Sequence, residues 1–484
     1  MNNSDVCLIR TEEKYPSIKS NWRPSEKYPE YPFEELSDEK NGVYWAVRES
    51  FVKLGMDMHH IGNNEWNPLG EIIKPGDNVL LKPNLVMDVN GNKGQGEECL
   101  YTQPSIVAAV VDYVIIALKG KGKIIIGDAP MQECVFNNII EAGYGQLVDF
   151  YKSKGINIEL VDFRELTSVQ KNGVHVATLS SNAKGKVIDL GNESEFYKSN
   201  EGNHKNFRIT NYDPRIMPTH HNSEKNEYYI SDYILQADVI INMPKPKTHR
   251  KAGATISLKN FVGANVRKEY LPHHTMGSKD EGGDEYLKKS LIHGMRSRIL
   301  DKKNQSEADK KYNLARCYGV LIKCCSVLMR LTGQSKYFEG SWYGNNTISR
   351  TISDINKIVF YADKEGKMHD TQQRKMFIVA DMIISGEEEG PVFPTAKPVG
   401  IIATGYNPVC FDNAIASLMG FDPKKIPTLN VAKNVDSKYS AFAFEPVKFC
   451  SNDSRYDGLM PLELEEECRL NFKPTSGWKG HIEI

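Results

Sequence analysis

The chain has 484 residues, 40% hydrophobic and 25% charged, which bounds a globular protein with one large core plus additions or about three domains. Its 61 Lys and Arg balance 62 Asp and Glu, for a net charge of −1. That balance lacks the basic excess of a nucleic-acid binder, so no nucleic-acid partner is expected.

Residues 1–40, rich in Pro, Glu, Lys and Ser, read as an irregular N-terminal extension. They hold no apolar stretch of the signal-peptide type, and no run in the chain reaches the roughly 18 apolar residues of a membrane span. A cytoplasmic location is expected. A first α/β part is expected over 41–275. It begins with a helix, because Val43, Ala46, Val47, Phe51 and Leu54 recur at helical spacing and Gly55 can end it. Pro75-Gly76-Asp77 is a turn signal, and Val79-Leu80-Leu81 reads as a buried strand ending at Lys82. Pro104 to Leu118 is a helix with proline in its first turn. Lys123 to Ile126 is a strand ending in Gly127-Asp128-Ala129-Pro130. Ile139 to Lys152 is mostly helical, and Ile158 to Phe163 is again a strand. Residues 167–228 are polar and poorly periodic, read as hairpins or loops. Asp238 to Asn242 is a strand ending in Met243-Pro244-Lys245.

An insertion is expected over 276–340. Within it, residues 310–336 contain Lys310, Lys311, Arg316, Lys323, Arg330 and Lys336 and no acid. Arg316, Lys323 and Arg330 line one helix stripe; Leu314, Cys317, Leu321, Cys324, Leu328 and Leu331 line an apolar one. Such a helix either packs on the core or lies on an anionic membrane surface. A second part, 341–430, completes the core with the run Val399 to Ala403, and 431–484 reads as a C-terminal tail. Strands alternating with helices predict an α/β fold, a mainly parallel sheet with helices on both faces. Ligands then sit beyond the carboxyl ends of the strands, which selects Lys82, Asp128 and the segment Lys245 to Lys259 as one neighbourhood.

That segment carries most of the candidate chemistry. In PKPKTHRKAG, cationic or titratable groups crowd directly behind a buried strand, on a backbone stiffened by two prolines. Lys82, Asn84, Lys245, Lys247 and Asn260 are candidate substrate-binding residues, with lysines acting as point charges on phosphate or carboxylate. His249 is the candidate acid/base, oriented by Asp128 or Asp381, and Lys259 the nucleophile or oxyanion clamp. Asn346, Arg350 and Asp354, spaced i, i+4, i+8, share a helix face, which adds Arg350 and Asp354 to the binding set. Asp381, Glu387, Glu389, His273 and His274 are the candidate ligands for a divalent metal. The nine cysteines are scattered, with no C-x-x-C pair, and read as reduced thiols.

The motifs KPGDNVLLKPNL, GKGKIIIGDAP, ADVIINMPKPKTHRKAGATISLKNFVGA, GNNTISRTISDIN and DMIISGEEEGPVFP closely resemble the family catalogued as domain of unknown function 362. The family name assigns no activity. Some members carry ferredoxin-like cysteine clusters; this chain has no such iron–sulfur motif. A fainter likeness, in the order His249, Lys259 and His273 or His274, is to the nickel-pincer lactate racemases. Those proteins have a Gly-Gly pair before their cofactor-bearing lysine, where this chain has Ser257-Leu258. Three functions are therefore expected in order. The first is an enzyme acting on an anionic small molecule (a sugar acid, phosphosugar or nucleotide-linked sugar) by proton abstraction leading to epimerisation or elimination. The second is a Mg-nucleotide-dependent transferase without a P-loop. The third is a non-catalytic membrane-surface protein that binds through 310–336. The sequence leaves the oligomeric state and any cofactor open.

Overall fold

A computed structural model describes residues 4–20, 22–197, 203–334 and 337–484. Lys336 of the basic run lies outside them. Ten strands form one sheet: β1 (Val6–Arg10), β2 (Asn78–Pro83), β3 (Lys123–Asp128), β4 (Ile158–Asp162), β5 (Val239–Met243), β6 (Lys247–His249), β7 (Gly253–Thr255), β8 (Lys375–Glu389), β9 (Phe393–Gly405) and β10 (Phe449–Ser451). The order across the main sheet is β10-β1-β9-β8-β5-β2-β3-β4. The five strands from β8 to β4 are mutually parallel, and β9 runs antiparallel to both of its neighbours. The fold is α/β with a mainly parallel sheet, as the alternation of strands and helices predicts.

Period-2 alternation assigns the strand side chains to the two faces. Leu80, Ile125, Ile240 and Ile378 belong to one apolar cluster; Leu81, Ile126, Ile241 and Val379 belong to another. Three helices that cover the second cluster are α1 (Gly42–Lys53), α2 (Pro104–Leu118) and α3 (Gly145–Ser153). The expected helix over 139–152 is broken at Gly143, whose φ of 123° no ordinary residue adopts readily. The first cluster is covered by a short α4 (Ser257–Asn260) and, after an α-hairpin of α5 (Leu291–Ala308) and α6 (Tyr312–Leu331), by α7 (Thr347–Tyr361), α8 (Pro408–Leu418) and α9 (Pro427–Lys433).

Two expectations need correcting. Residues 1–40 are not wholly irregular: VCLIR forms β1, which pairs with β9 on one side and β10 on the other. Five residues between polar segments are too short for periodicity to register, but Cys7, Leu8 and Ile9 are fully buried. Likewise 431–484 is no loose tail. It supplies β10, and Trp478 is buried with its indole N–H donating to Arg250 O at 2.8 Å. The polar stretch 167–228 holds an antiparallel hairpin (Leu166–Lys171 with Val174–Leu179) and a strand, Gly185–Asp189, paired with Glu227–Ser231.

The topology also fixes where a ligand belongs. From β2 the chain steps outward to β3 and β4, then returns to place β5 on the other side of β2. The crevice at the carboxyl ends of β2 and β5 is thus a topological switch point.

Candidate active site at the switch point

At the end of β2, Lys82 is wholly buried and its Nζ donates to Asp128 Oδ1 at 2.6 Å, to Pro83 O at 3.0 Å and to Asn260 O at 3.2 Å. Asp128, at the end of β3, is saturated: it also accepts the backbone N–H groups of Leu85 and Ala129. Burial lowers the Lys82 pKa, against the opposing pull of Asp128. Gly263 closes over this pair so tightly that a Cβ there would sit 1.8 Å from Asp128 Oδ1 and 2.8 Å from Lys82 Nζ. An asparagine relay runs beside it. Asn260 donates to Asn242 Oδ1 at 2.8 Å, Asn84 donates to Asn260 Oδ1 at 3.0 Å, and Lys247 donates to Asn84 Oδ1 at 2.6 Å. Lys247 also donates to Leu100 O.

Above this layer lies a cavity of about 150 Å³. Its wall brings together Asn84, Asp128, Lys247, His249, Lys259, Asn260 and His273, all singled out in the sequence. It also contains Arg250, Lys251 and Lys268, so five permanent or titratable cations face a single carboxylate, already neutralised by Lys82. α4 presents Lys259, and Asp412 of α8 fixes α4. The Asp412 carboxylate accepts from Ser257 N at 2.8 Å, Leu258 N at 3.0 Å and the Ser257 hydroxyl, in place of an N-cap side chain on the helix itself. Burial pushes Asp412 up to about 7.

Burial dominates the electrostatics of the wall. It pulls Lys247, Lys251 and Lys268 down to about 7 and Lys259 to about 8. Neighbouring cations reinforce it: Lys245 and Lys259 at Lys247, Arg250 at Lys251, and Lys82 at Lys259 and Lys268. Among the described residues, Lys251 Nζ makes a single hydrogen bond, to Thr210 Oγ1 at 3.0 Å, and Lys268 Nζ one, to Val262 O at 3.0 Å. Lys259 Nζ and the Arg250 guanidinium have no hydrogen-bond partner among the described residues.

The two cavity histidines are locked in opposite tautomers. His249 Nδ1 accepts the backbone N–H groups of Lys251 and Ala252, each at 3.1 Å, so its proton resides on Nε2. Burial first, then Lys259 and Arg250, hold it well below the usual histidine range, and it stays neutral. His273 Nδ1 lies 2.8 Å from Leu271 O, which can only accept, so its Nε2 carries the free lone pair. Burial and Lys251 keep His273 neutral as well. Neither Asp128 nor Asp381 orients His249, contrary to expectation; two backbone amides do so, because the tight turn from β6 to β7 aims them at the ring.

Other candidates lie elsewhere. Lys245 pairs with Asp381 at 3.0 Å and donates to the Tyr15 hydroxyl, which itself donates to Asp381. This buried triad joins the N-terminal segment to β8 and is not part of the cavity wall. Arg350 borders a separate groove with Glu195, Asn430 and Asn434. Asp354 is buried under it, accepting from the Ser194 and Tyr228 hydroxyls and Glu195 N. α7 turns its apolar residues to the sheet, so the Asn346 face points away from the cavity. Glu387 and Glu389 sit in β8, not in a loop. Glu387 is ringed by Lys397 and Lys473, and Glu389 accepts from Ser476 N. His274 is buried with its Nδ1 unpaired and is not in the cavity wall. Among the described residues, no group of three or more His, Cys, Asp or Glu side chains is placed to hold a metal ion.

Sequence reasoning did not select Lys268, Thr210 or Tyr212 as site residues. Lys251 lay inside the basic motif without being singled out. Lys268 follows no motif, and Thr210 and Tyr212 come from the polar stretch beside the sheet, where no pattern marks them.

Fold and site together define an α/β protein whose switch-point crevice holds a cation-lined pocket. The chain belongs to the family described as domain of unknown function (DUF362), whose model matches residues 79–417. It is also 28% identical over 212 residues to the thylakoid-associated protein sll1697 of Synechocystis sp.. That match covers 44% of this chain and 46% of the relative, so the chain spans about half the length of the protein it matches. No solved structure matches the chain. No helix among the described residues is long and apolar enough to cross a membrane.

Proposed function

We propose that the chain is an enzyme that binds an anionic small molecule in the switch-point cavity and abstracts a proton beside its carboxylate or phosphate-bearing carbon. One observation carries this reading: five cations surround a cavity in which the sole carboxylate is already paired. Lysines held near neutrality by burial gain most from an arriving anion, because an opposite charge favours the charged form. Lys247, Arg250, Lys251 and Lys268 clamp the anion. Lys259, at about 8 and without a hydrogen-bond partner among the described residues, takes the base role that His249 cannot fill. A base works best when its pKa is near the working pH, and His249 has its only lone pair occupied by two amides. His249 instead offers Nε2–H to a developing enolate oxygen. Epimerisation or elimination of a sugar acid, phosphosugar or nucleotide-linked sugar is the reaction class. The nine free cysteines favour the cytoplasm as its proposed location.

A thermal-shift panel of these three anion classes, with neutral sugars as controls, tests the reading. An anion that raises the melting temperature should also be turned over. Lys259→Arg keeps the charge but removes the base, and should lower kcat by about 10²–10⁴-fold with KM little changed. Full turnover by Lys259→Arg, or stabilisation by no anion in the panel, would reject it.

A further inference from the structure

The α5–α6 hairpin stands apart from this chemistry. α6 buries only Ala315, Cys325 and Met329. The leucines that mark it in the sequence are turned outward: Leu314, Leu321, Leu328 and Leu331, with Val320 and Val327 beside them, are between 42% and 79% exposed. An amphipathic helix of a globular protein normally buries that stripe. Here the side toward α5 is the minor, small-residue one. The hairpin closes with the Ser290 hydroxyl bonded to Gln334, which puts Leu291, 89% exposed, at the same end as Leu331.

Charge identifies the partner. Exposed Arg316, Lys323 and Arg330 run seven apart along one border of the apolar stripe, and exposed Lys310 and Lys311 precede the helix. The helix contains no Asp or Glu. A second copy of the same face would bring only like charges together. Moreover, Val320 and Val327 widen the stripe beyond the narrow seam of two positions in seven that a coiled coil uses. A broad apolar arc bordered by cations fits the boundary between anionic headgroups and acyl chains, with the helix, about 30 Å long, lying in the plane. We propose that the outer face of α6 docks the protein on an anionic lipid surface.

Flotation with phosphatidylcholine vesicles, with and without phosphatidylglycerol, tests this on the full chain. The wild-type protein should float only with the anionic vesicles, and less so as salt rises. Arg316→Glu, Lys323→Glu and Arg330→Glu together should weaken binding by at least about 100-fold, at about 1 kcal/mol per basic residue removed near the surface. Leu321→Gln with Leu328→Gln should abolish it. All five side chains are exposed, so an unchanged melting temperature shows that folding is intact. Undiminished flotation of the Leu variant would overturn the proposal. So would failure of the wild type to float, or its forming a concentration-dependent dimer, instead of floating, that the Leu variant dissolves; in that case a second copy covers the face. None of these outcomes bears on the cavity.

Discussion

Two groups of lysines meet at the ends of the parallel strands, all buried except the half-buried Lys259 and Lys268, and they differ in one respect. Lys82 and Lys245 each have a carboxylate at 2.6 and 3.0 Å. Lys247, Lys251, Lys259 and Lys268 have none, only carbonyl, amide or hydroxyl oxygens, or in the case of Lys259 no hydrogen-bond partner among the described residues. A buried charge is tolerated when paired and is costly when alone. The first pair of lysines therefore belongs to the architecture, tying β2 to β3 and β5 to β8. The second group is held in a costly state that an anion would relieve.

The sharpest way to break this distinction is to strip each group of its partner or its charge. Asp128→Asn leaves Lys82 buried and unpaired, and should cost about 3–5 kcal/mol of stability in denaturant unfolding. Gly263→Ala forces a methyl into the same ion pair and should cost about 1–3 kcal/mol. In the other group the effect is small. Lys251→Met removes a buried charge that has no carboxylate within ion-pair distance, only the more distant pull of Glu339, Asp284 and Glu285, and should leave stability at pH 7 nearly unchanged while weakening anion binding. If Lys251→Met destabilises as much as Asp128→Asn, the two groups are not different in kind.

The pH response sharpens the comparison further. The lysines of the second group titrate at about 7 to 8 when folded, against an ordinary 10.5. Between those limits the unfolded chain holds more protons, so stability should rise with pH from about 7 toward 10. Melting curves across that window should show the rise, and Lys251→Met or Lys268→Met should flatten it. The smallest effect is expected at Arg350. It borders another groove, so Arg350→Lys should leave anion affinity within about twofold by titration.

Much of this site was legible in the sequence because strand-end rules and charge clustering act over short distances. Lys82, Asp128 and Lys247 were placed together by the ends of three recognisable strands. What lay hidden depends on long-range packing. VCLIR becomes a strand only because β9 and β10 flank it, and nothing local marks it. Arg350 and Asp354 do share a helix face as their spacing requires, but which face meets the cavity is decided by the isoleucines packed on the sheet. The histidine tautomers rest on two backbone amides and one carbonyl, which no spacing rule reveals. The glutamates offered as metal ligands are strand residues, because β8 and β9 form a long hairpin whose charged end is neutralised by Lys397 and Lys473.

The central claim is that the unpaired lysines await an anion, and calorimetric titration of sulfate at pH 8 in two buffers of different ionisation enthalpy tests it most directly. Sulfate stays fully ionised there, so any proton taken up goes to the protein. Binding with net proton uptake is expected, and less uptake in Lys251→Met and Lys268→Met, each of which has lost a clamp amine that can take up a proton. Binding with no proton uptake, or equal uptake in both Met variants, would contradict it.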